Sequence, residues 1–225
     1  WLPAHIHISG VVLSDLIARG WYKRVTETRK LENGVETLWD VISDAPMSTQ
    51  FAISRFFILK LCEVTHGKAS GGWAMFVDCD VLALDHLDSL FHLAEQQQDK
   101  AMLCVHHQHT VVEGSTKKEG QVAVNYSRKN WSSVMLLNRG HPSNKKLTLE
   151  LLNTVPGRDL HRFCWLEDHE IGSLDVCWNH LAGVEGSQSP NPRIVHFTNG
   201  GPWLPQYANI EYADEWRAAF KSGVR

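Results

Sequence analysis

Apolar positions in this chain gather in short uninterrupted runs rather than in alternation. The runs at 74–77 (Ala-Met-Phe-Val), 101–105 (Ala-Met-Leu-Cys-Val), 134–137 (Val-Met-Leu-Leu) and 193–197 (Arg-Ile-Val-His-Phe) each have the length of a strand. Their continuity predicts strands buried on both faces. Between them apolar residues recur at helical spacing. Ser48 is placed to cap a helix that carries Phe51, Ile53, Phe56, Phe57 and Leu59 to about Val64, and 85–98 reads as a second helix. Ser143 or Asn144 is placed to cap a third through Leu152, and 213–221 reads as a fourth. Strands alternating with helices predict an α/β layered sandwich with a mainly parallel central sheet. The stretch 111–127, rich in Gly, Lys, Ser and Thr, reads as an excursion off the sheet, and 186–192 as a turn-rich loop before the last strand. No internal repeat or low-complexity tract interrupts this pattern.

Length and composition narrow the picture. A chain of 225 residues with 43% hydrophobic content buries one sizeable core, so 1–225 is expected to be a single domain. The net charge of −3, from 22 basic and 25 acidic residues spread along the sequence, argues against a nucleic-acid or anionic-membrane partner. The five cysteines (Cys62, Cys79, Cys104, Cys164, Cys177) are odd in number and widely spaced, which reads as reduced thiols in a cytoplasmic protein. No apolar run approaches the roughly 20 residues that span a bilayer. The chain starts at Trp1 without an initiator methionine, and a segment before it is expected.

The most informative chemistry lies where the run at 74–77 leads directly into Asp78-Cys79-Asp80. Ligands of open α/β sheets bind beyond the carboxyl ends of strands, where this pair should sit. Two carboxylates this close repel unless they share a cation or a proton, and hard oxygen ligands suit magnesium or manganese. The competing reading makes Asp78 a turn cap and Asp80 a solvated surface residue. The last strand ends in His196-Phe-Thr-Asn-Gly200-Gly201-Pro202-Trp203. A histidine leaving a strand could complete a mixed oxygen and nitrogen shell, and paired glycines let backbone N–H groups approach phosphate oxygens. Alternatively His196 is structural and the glycines form a turn.

Taken jointly, these residues resemble the GT-A nucleotide-sugar glycosyltransferases, most closely glycosyltransferase family 8 and related bacterial sugar transferases. The likeness runs from about Met47 onward. Ser54-Arg55-Phe56 is similar to the family's arginine-bearing helix, Phe76 to Val81 to its Asp-x-Asp strand end, and Ser133 to Asn138 to its central apolar strand. Glu167 to Ile171 resembles its acidic Asp-Gln-Asp segment, Trp178-Asn179 its Trp-Asn, and His196 to Trp203 its His-x-x-Gly to Lys-Pro-Trp ending. The order of the pieces matches. The resemblance implies a GT-A, Rossmann-like α/β/α sandwich, with Mn2+ or Mg2+ held by Asp78, Asp80 and His196. It also implies Arg55 near the donor, and Asp168 and His169 near the reacting sugar or acceptor. Cys79, Gly200, Gly201 and Trp203 would line the nucleotide-sugar site. Three positions depart from the family: Gly201 stands where a phosphate-binding lysine is expected, His169 replaces a glutamine, and the family's first strand would precede Trp1 or fall only partly within His5 to Ile8.

Other clusters carry less. His106, His107 and His109 alternate faces on a strand and lack companion cysteines, so they are not expected to form a metal site, although His106 and His109 could contact substrate. The pairs Lys117-Lys118, Arg128-Lys129 and Lys145-Lys146 read as solvated, with Arg128 the one able to reach a phosphate. Trp131, Trp165, Trp178 and Trp203 read as core or pocket wall, with Trp203 able to stack on a sugar. The function expected is transfer of a hexose from a nucleotide-diphosphate sugar to a hydroxyl of a glycan, lipid-linked or small-molecule acceptor. It would be divalent-metal dependent, set in bacterial glycan or polysaccharide synthesis, and retaining by family likeness. The alternative is a non-catalytic nucleotide-sugar or glycan-binding module of the same fold. A nucleotidyltransferase would need a glycine-rich, basic phosphate loop near its start, and the sequence has none.

Overall fold

The computed structural model describes residues 6–31, 33–67, 71–108, 116–117, 121–122, 128 and 130–223. After a short helix α1 (Leu13–Ala18), strands β1 (Thr26–Lys30), β2 (Glu36–Asp40) and β3 (Ala45–Pro46) form an antiparallel meander. The hydrophobic pattern gave no sign of it, because β1 reads Thr-Glu-Thr-Arg-Lys and is almost wholly exposed. A charged edge strand of this kind resists pairing with other chains.

The main sheet has the order β10 (Ile171–Leu174), β6 (Met102–Val105), β9 (Val134–Asn138), β4 (Trp73–Val77). β10 pairs parallel with β6, while β9 runs antiparallel to both β6 and β4. Three strands therefore share one direction, and β9 between β6 and β4 makes two of the three pairings antiparallel. This mixed sheet differs from the mainly parallel one expected, since a continuous apolar run records burial on both faces but not strand direction. Every residue of β6 and β9 is buried, as their composition requires. Phe56, Phe57, Phe163 and Trp165 pack on one face of the sheet, and Leu90, Ala94 and Trp178 on the other. A smaller sheet, β11 (His180–Leu181), β12 (Ile194–His196) and β5 (Val81–Ala83), continues from the carboxyl end of β4. The segment 111–127 contains a two-stranded pair, β7 (Thr116–Lys117) with β8 (Gln121–Val122); its other residues lie outside those described.

Helix boundaries depart from expectation where side chains have other work. Ser48 caps no helix: a 3-10 turn at Ser54–Phe57 leads into α2 (Ile58–His66), which has no side-chain cap. The second helix, α3 (Asp88–Glu95), starts late because the Asp85 carboxylate accepts the His86 N–H at 2.7 Å and pairs with Arg193 at 3.3 Å. Ser143 and Asn144 lie inside a 3-10 turn, Pro142–Lys146, and α4 (Leu149–Thr154) is capped by the Thr148 hydroxyl instead. The Ser143 hydroxyl donates to Glu170, while the Asn144 amide bridges the Ala101 and Asn138 carbonyls at 2.8 Å each. Helices α5 (Gly157–His161) and α6 (Ala213–Gly223) complete the set, and among the described residues no helix is long and apolar enough to cross a membrane.

Candidate functional site

Asp78, Cys79 and Asp80 form the whole link between β4 and β5, and it is pinned on both sides. The Asp78 N–H donates to the Ser133 carbonyl at 2.9 Å, and the Phe197 N–H donates to the Asp80 carbonyl at 2.9 Å. In the register of β5 with β12, His196 stands opposite Val81, one residue beyond the aspartate pair. Its Nε2 consequently lies 3.3 Å from Asp80 Oδ1 and 3.9 Å from Asp78 Oδ2. One ligand atom from each of the three residues falls within 4.8 Å of the others. His196 is buried, the two aspartates are half-buried, and Cys79 between them is exposed.

Arg55, from the 3-10 turn ahead of α2, reaches the same place. Its guanidinium holds Asp78 with both nitrogens, Nη2 to Oδ1 at 3.0 Å and Nη1 to Oδ2 at 3.2 Å. The guanidinium is fixed in turn by the Ser132 carbonyl at 2.9 Å and the Ala52 carbonyl at 2.9 Å, and lies 5.3 Å from the Phe76 ring centroid. Burial pushes the Asp78 carboxyl above the ordinary carboxylate range, and the Asp80 charge adds to this. The Arg55 charge and then that of His196 oppose the rise. A further cation would relieve the repulsion between the carboxylates and the cost of burying them. Two carboxylates plus one imidazole nitrogen, converging in a small space, make a donor set that fits Mn2+ and, with its oxygens alone, Mg2+. Nδ1 of His196 is buried with no hydrogen-bond partner among the described residues, so no acceptor in this set fixes its tautomer.

The glycines after β12 have a packing reason to be glycine. Gly200 has φ 134°, and a Cβ there would come 2.5 Å from the Tyr207 ring; a Cβ on Gly201 would come 2.1 Å from the Trp203 ring. The two glycines thus let the loop close under Trp203, which is 44% exposed and leans on Phe197 and Trp216 at centroid distances of 5.8 and 5.3 Å.

The acidic segment divides. Because Ile171 pairs with Met102, residues 168–170 precede β10 at the amino end of β6, the sheet edge opposite Asp78. There Lys100 Nζ donates to the His169 carbonyl at 3.1 Å, leaving the His169 side chain exposed and away from the metal-ligand group. Glu170 is structural: it forms a reciprocal capping box with Glu167 and accepts from Ser143, and that hydroxyl holds its carboxyl below the usual range, with the Glu167 N–H adding to the effect. Asp168 alone is drawn back toward the turn before β9, by an ion pair with Arg128. In that turn Trp131 stacks on His106 at 3.9 Å and 3°, and its indole N–H donates to the His107 carbonyl at 3.1 Å. Burial, then the Arg128 charge, lowers the His106 pKa. His109 and Lys129 lie outside the described residues.

Several residues of the site were not visible as candidates in the sequence. The backbone carbonyls of Ser132 and Ser133 fix Arg55 and Asp78, the Ser132 hydroxyl meets His161 Nδ1 at 2.8 Å, and the buried Asn179 amide donates to the Ser133 hydroxyl at 2.9 Å. The signals available were the Trp178-Asn179 resemblance and Asn130, a residue type that tolerates the left-handed conformation it adopts here at φ 64°.

No protein-family model matches the chain. Protein CDI of Arabidopsis thaliana is 41% identical over 215 residues, covering 94% of this chain and 73% of that protein. Among solved structures, mouse xyloside xylosyltransferase 1 in its apo form aligns with a TM-score of 0.41 and 14% identity over 65% of each chain. The apo WbbM bifunctional glycosyltransferase aligns with a TM-score of 0.49 and 12% identity over 76% of this chain. The chain spans just under two thirds of the first and about a third of the second.

Proposed function

Because this chain belongs to the family of Protein CDI of Arabidopsis thaliana, a name that states no activity, we propose its function from its own site: a divalent-metal-dependent glycosyltransferase that moves a hexose from a nucleotide-diphosphate sugar to an acceptor hydroxyl. The observation that carries the reading is the convergence of Asp78, Asp80 and His196 at the carboxyl end of β4. It is supported by the ordered likeness of Arg55, the aspartate pair, the strand before Asn138 and the His196 loop to GT-A transferases, with 1–225 as a single catalytic domain. The relative found is a plant protein, so the acceptor is left as a glycan, lipid-linked or small-molecule hydroxyl, without the bacterial setting.

In this reading Asp78, Asp80 and His196 would hold Mn2+ or Mg2+, which would supply positive charge to a nucleoside diphosphate leaving group. Arg55 orients Asp78 through its two-point contact and opposes the rise that burial imposes on that carboxyl. Gly200 and Gly201 let Trp203 close over the loop after His196, where its exposed face is offered to a sugar ring. Exposed Cys79 lines the same link. Asp168 supplies the carboxylate for the reacting sugar only when released from Arg128. His169, at the opposite sheet edge, belongs to the acidic segment's attachment rather than to the bond being broken.

A panel of nucleotide sugars, each with Mn2+ and with chelator, read as release of nucleoside diphosphate, tests the proposal. One donor is expected to turn over with Mn2+ and to lose at least about 100-fold in Asp80→Ala. Turnover indifferent to chelation and to Asp80→Ala contradicts it. Metal-stimulated nucleotide binding with no turnover of any donor assigns the binding-module reading instead.

A further inference from the structure

Arg128 and Asp168 form an ion pair of unequal partners. The Arg128 side chain is 18% exposed, and the guanidinium also donates to the Arg162 carbonyl and lies 5.7 and 6.0 Å from the ring centroids of Trp131 and Phe163. The Asp168 side chain is 91% exposed. An ion pair with so solvated a partner adds little to the stability of a fold. Yet Arg128 takes a left-handed backbone, φ 64°, an unfavourable conformation for a side chain of this kind. A weak surface pair gives no reason to hold an arginine there.

Its position gives one. The Trp131 N–H donates to the Arg128 carbonyl at 3.2 Å, so the turn that starts at Arg128 ends on the Ser132 and Ser133 carbonyls that fix Arg55 and Asp78. The Arg128 charge also acts on Cys104 in β6 and on His106 just beyond it. β4 and β6 run in the same direction with β9 between them, so their carboxyl ends are about 10 Å apart, the reach of a diphosphate with its sugar.

We propose that Arg128 is an oxyanion seat of the site and that Asp168 is its placeholder: a diphosphate oxygen of the donor takes the guanidinium and releases the Asp168 carboxylate toward the sugar. The inference rests on the donor class proposed above. It trades one anion for another on a cation already held in place, so binding does not require desolvating a free arginine. No bond is made or broken in the exchange.

Binding of inorganic pyrophosphate to the full chain in chelator tests it without relying on turnover. Asp168→Asn is expected to tighten pyrophosphate about fivefold to tenfold. That gain should vanish in the Arg128→Gln background and persist in part in Arg128→Lys, with melting temperatures confirming that each variant folds; if Arg128→Gln fails to fold, the Lys variant alone must show the reduced gain. A gain that survives loss of the Arg128 charge, or no gain at all, overturns the exchange. Galacturonate serves as a second probe: a gain for it and not for pyrophosphate overturns the diphosphate assignment. If pyrophosphate behaves as expected but no nucleotide sugar turns over, the seat stands and the transferase reading falls.

Discussion

Asp78 and Asp168 both pair with arginine, and exposure separates what the two pairs can do. The first is half-buried, doubly bonded and beside a second carboxylate; the second is almost wholly in water. Exposure divides the cysteines in the same way. Burial, and then the neighbouring Asp175, push the Cys177 thiol up to about 11, and burial pushes Cys104 higher still. At pH 8 only about one Cys177 in a thousand is thiolate, whereas Cys79 and Cys164 are open to reagent, although burial and then neighbouring aspartates raise their thiols as well. Alkylation of the native protein at pH 8, followed by peptide mass spectrometry, should mark Cys79 and Cys164 and spare Cys104. Cys177 labelling should climb as pH rises toward 11. Labelling of Cys104 as fast as the exposed pair would show that the β6 core opens. Asp78, Asp80 and His196 stood out in the sequence because each sits at the end of an apolar run, whereas Arg55, inside the expected helical pattern, stood out only by its family resemblance. The Arg128 to Asp168 pair was not, since it joins positions 40 apart through a left-handed turn that no local pattern announces.

At the scale of elements, β6, β9 and β12 were legible because double-sided burial demands continuous apolar runs, and β4 by the same pattern although it is only partly buried, whereas β10, which reads Ile-Gly-Ser-Leu, was not. The meander of β1 to β3 escaped notice because it is held by something other than apolar pattern. Arg24, whose side chain is fully buried, pairs with Asp40 at the end of β2 and donates to the Leu152 and Val155 carbonyls at 2.9 and 2.8 Å, closing the C-terminal end of α4. Asp40 also takes the Ser43 N–H at 3.0 Å. Removing one partner leaves a buried charge without compensation, so Asp40→Ala should cost about 3–5 kcal/mol in urea unfolding. A loss below about 1 kcal/mol would mean that the meander contributes little to the cooperative unit. The misplaced helix starts have a related cause. Ser48, Ser143 and Asn144 are the right residue types for caps, but the hydroxyl and amide of the latter two are committed to Glu170, Ala101 and Asn138, the first two of them distant in sequence.

The whole molecule places its charged groups by sheet geometry. Two sheets meet at the link between β4 and β5, so residues more than a hundred positions apart converge there, while of the residues just ahead of β10 His169 and Glu170 stay at the far edge and Asp168 is drawn back by Arg128. Strand direction, which the hydrophobic pattern does not encode, decided which of the candidate carboxylates reach the site. The claim on which the rest depends is that Asp78, Asp80 and His196 together hold one divalent ion. Titration of Mn2+ into the metal-free chain, followed by the electron paramagnetic resonance signal of the free ion, measures this directly. One site per chain is expected, weakened about 10-fold to 100-fold in His196→Ala and more in Asp80→Ala, with both variants folded. Binding of equal strength in all three proteins, or none in the wild type, would contradict it.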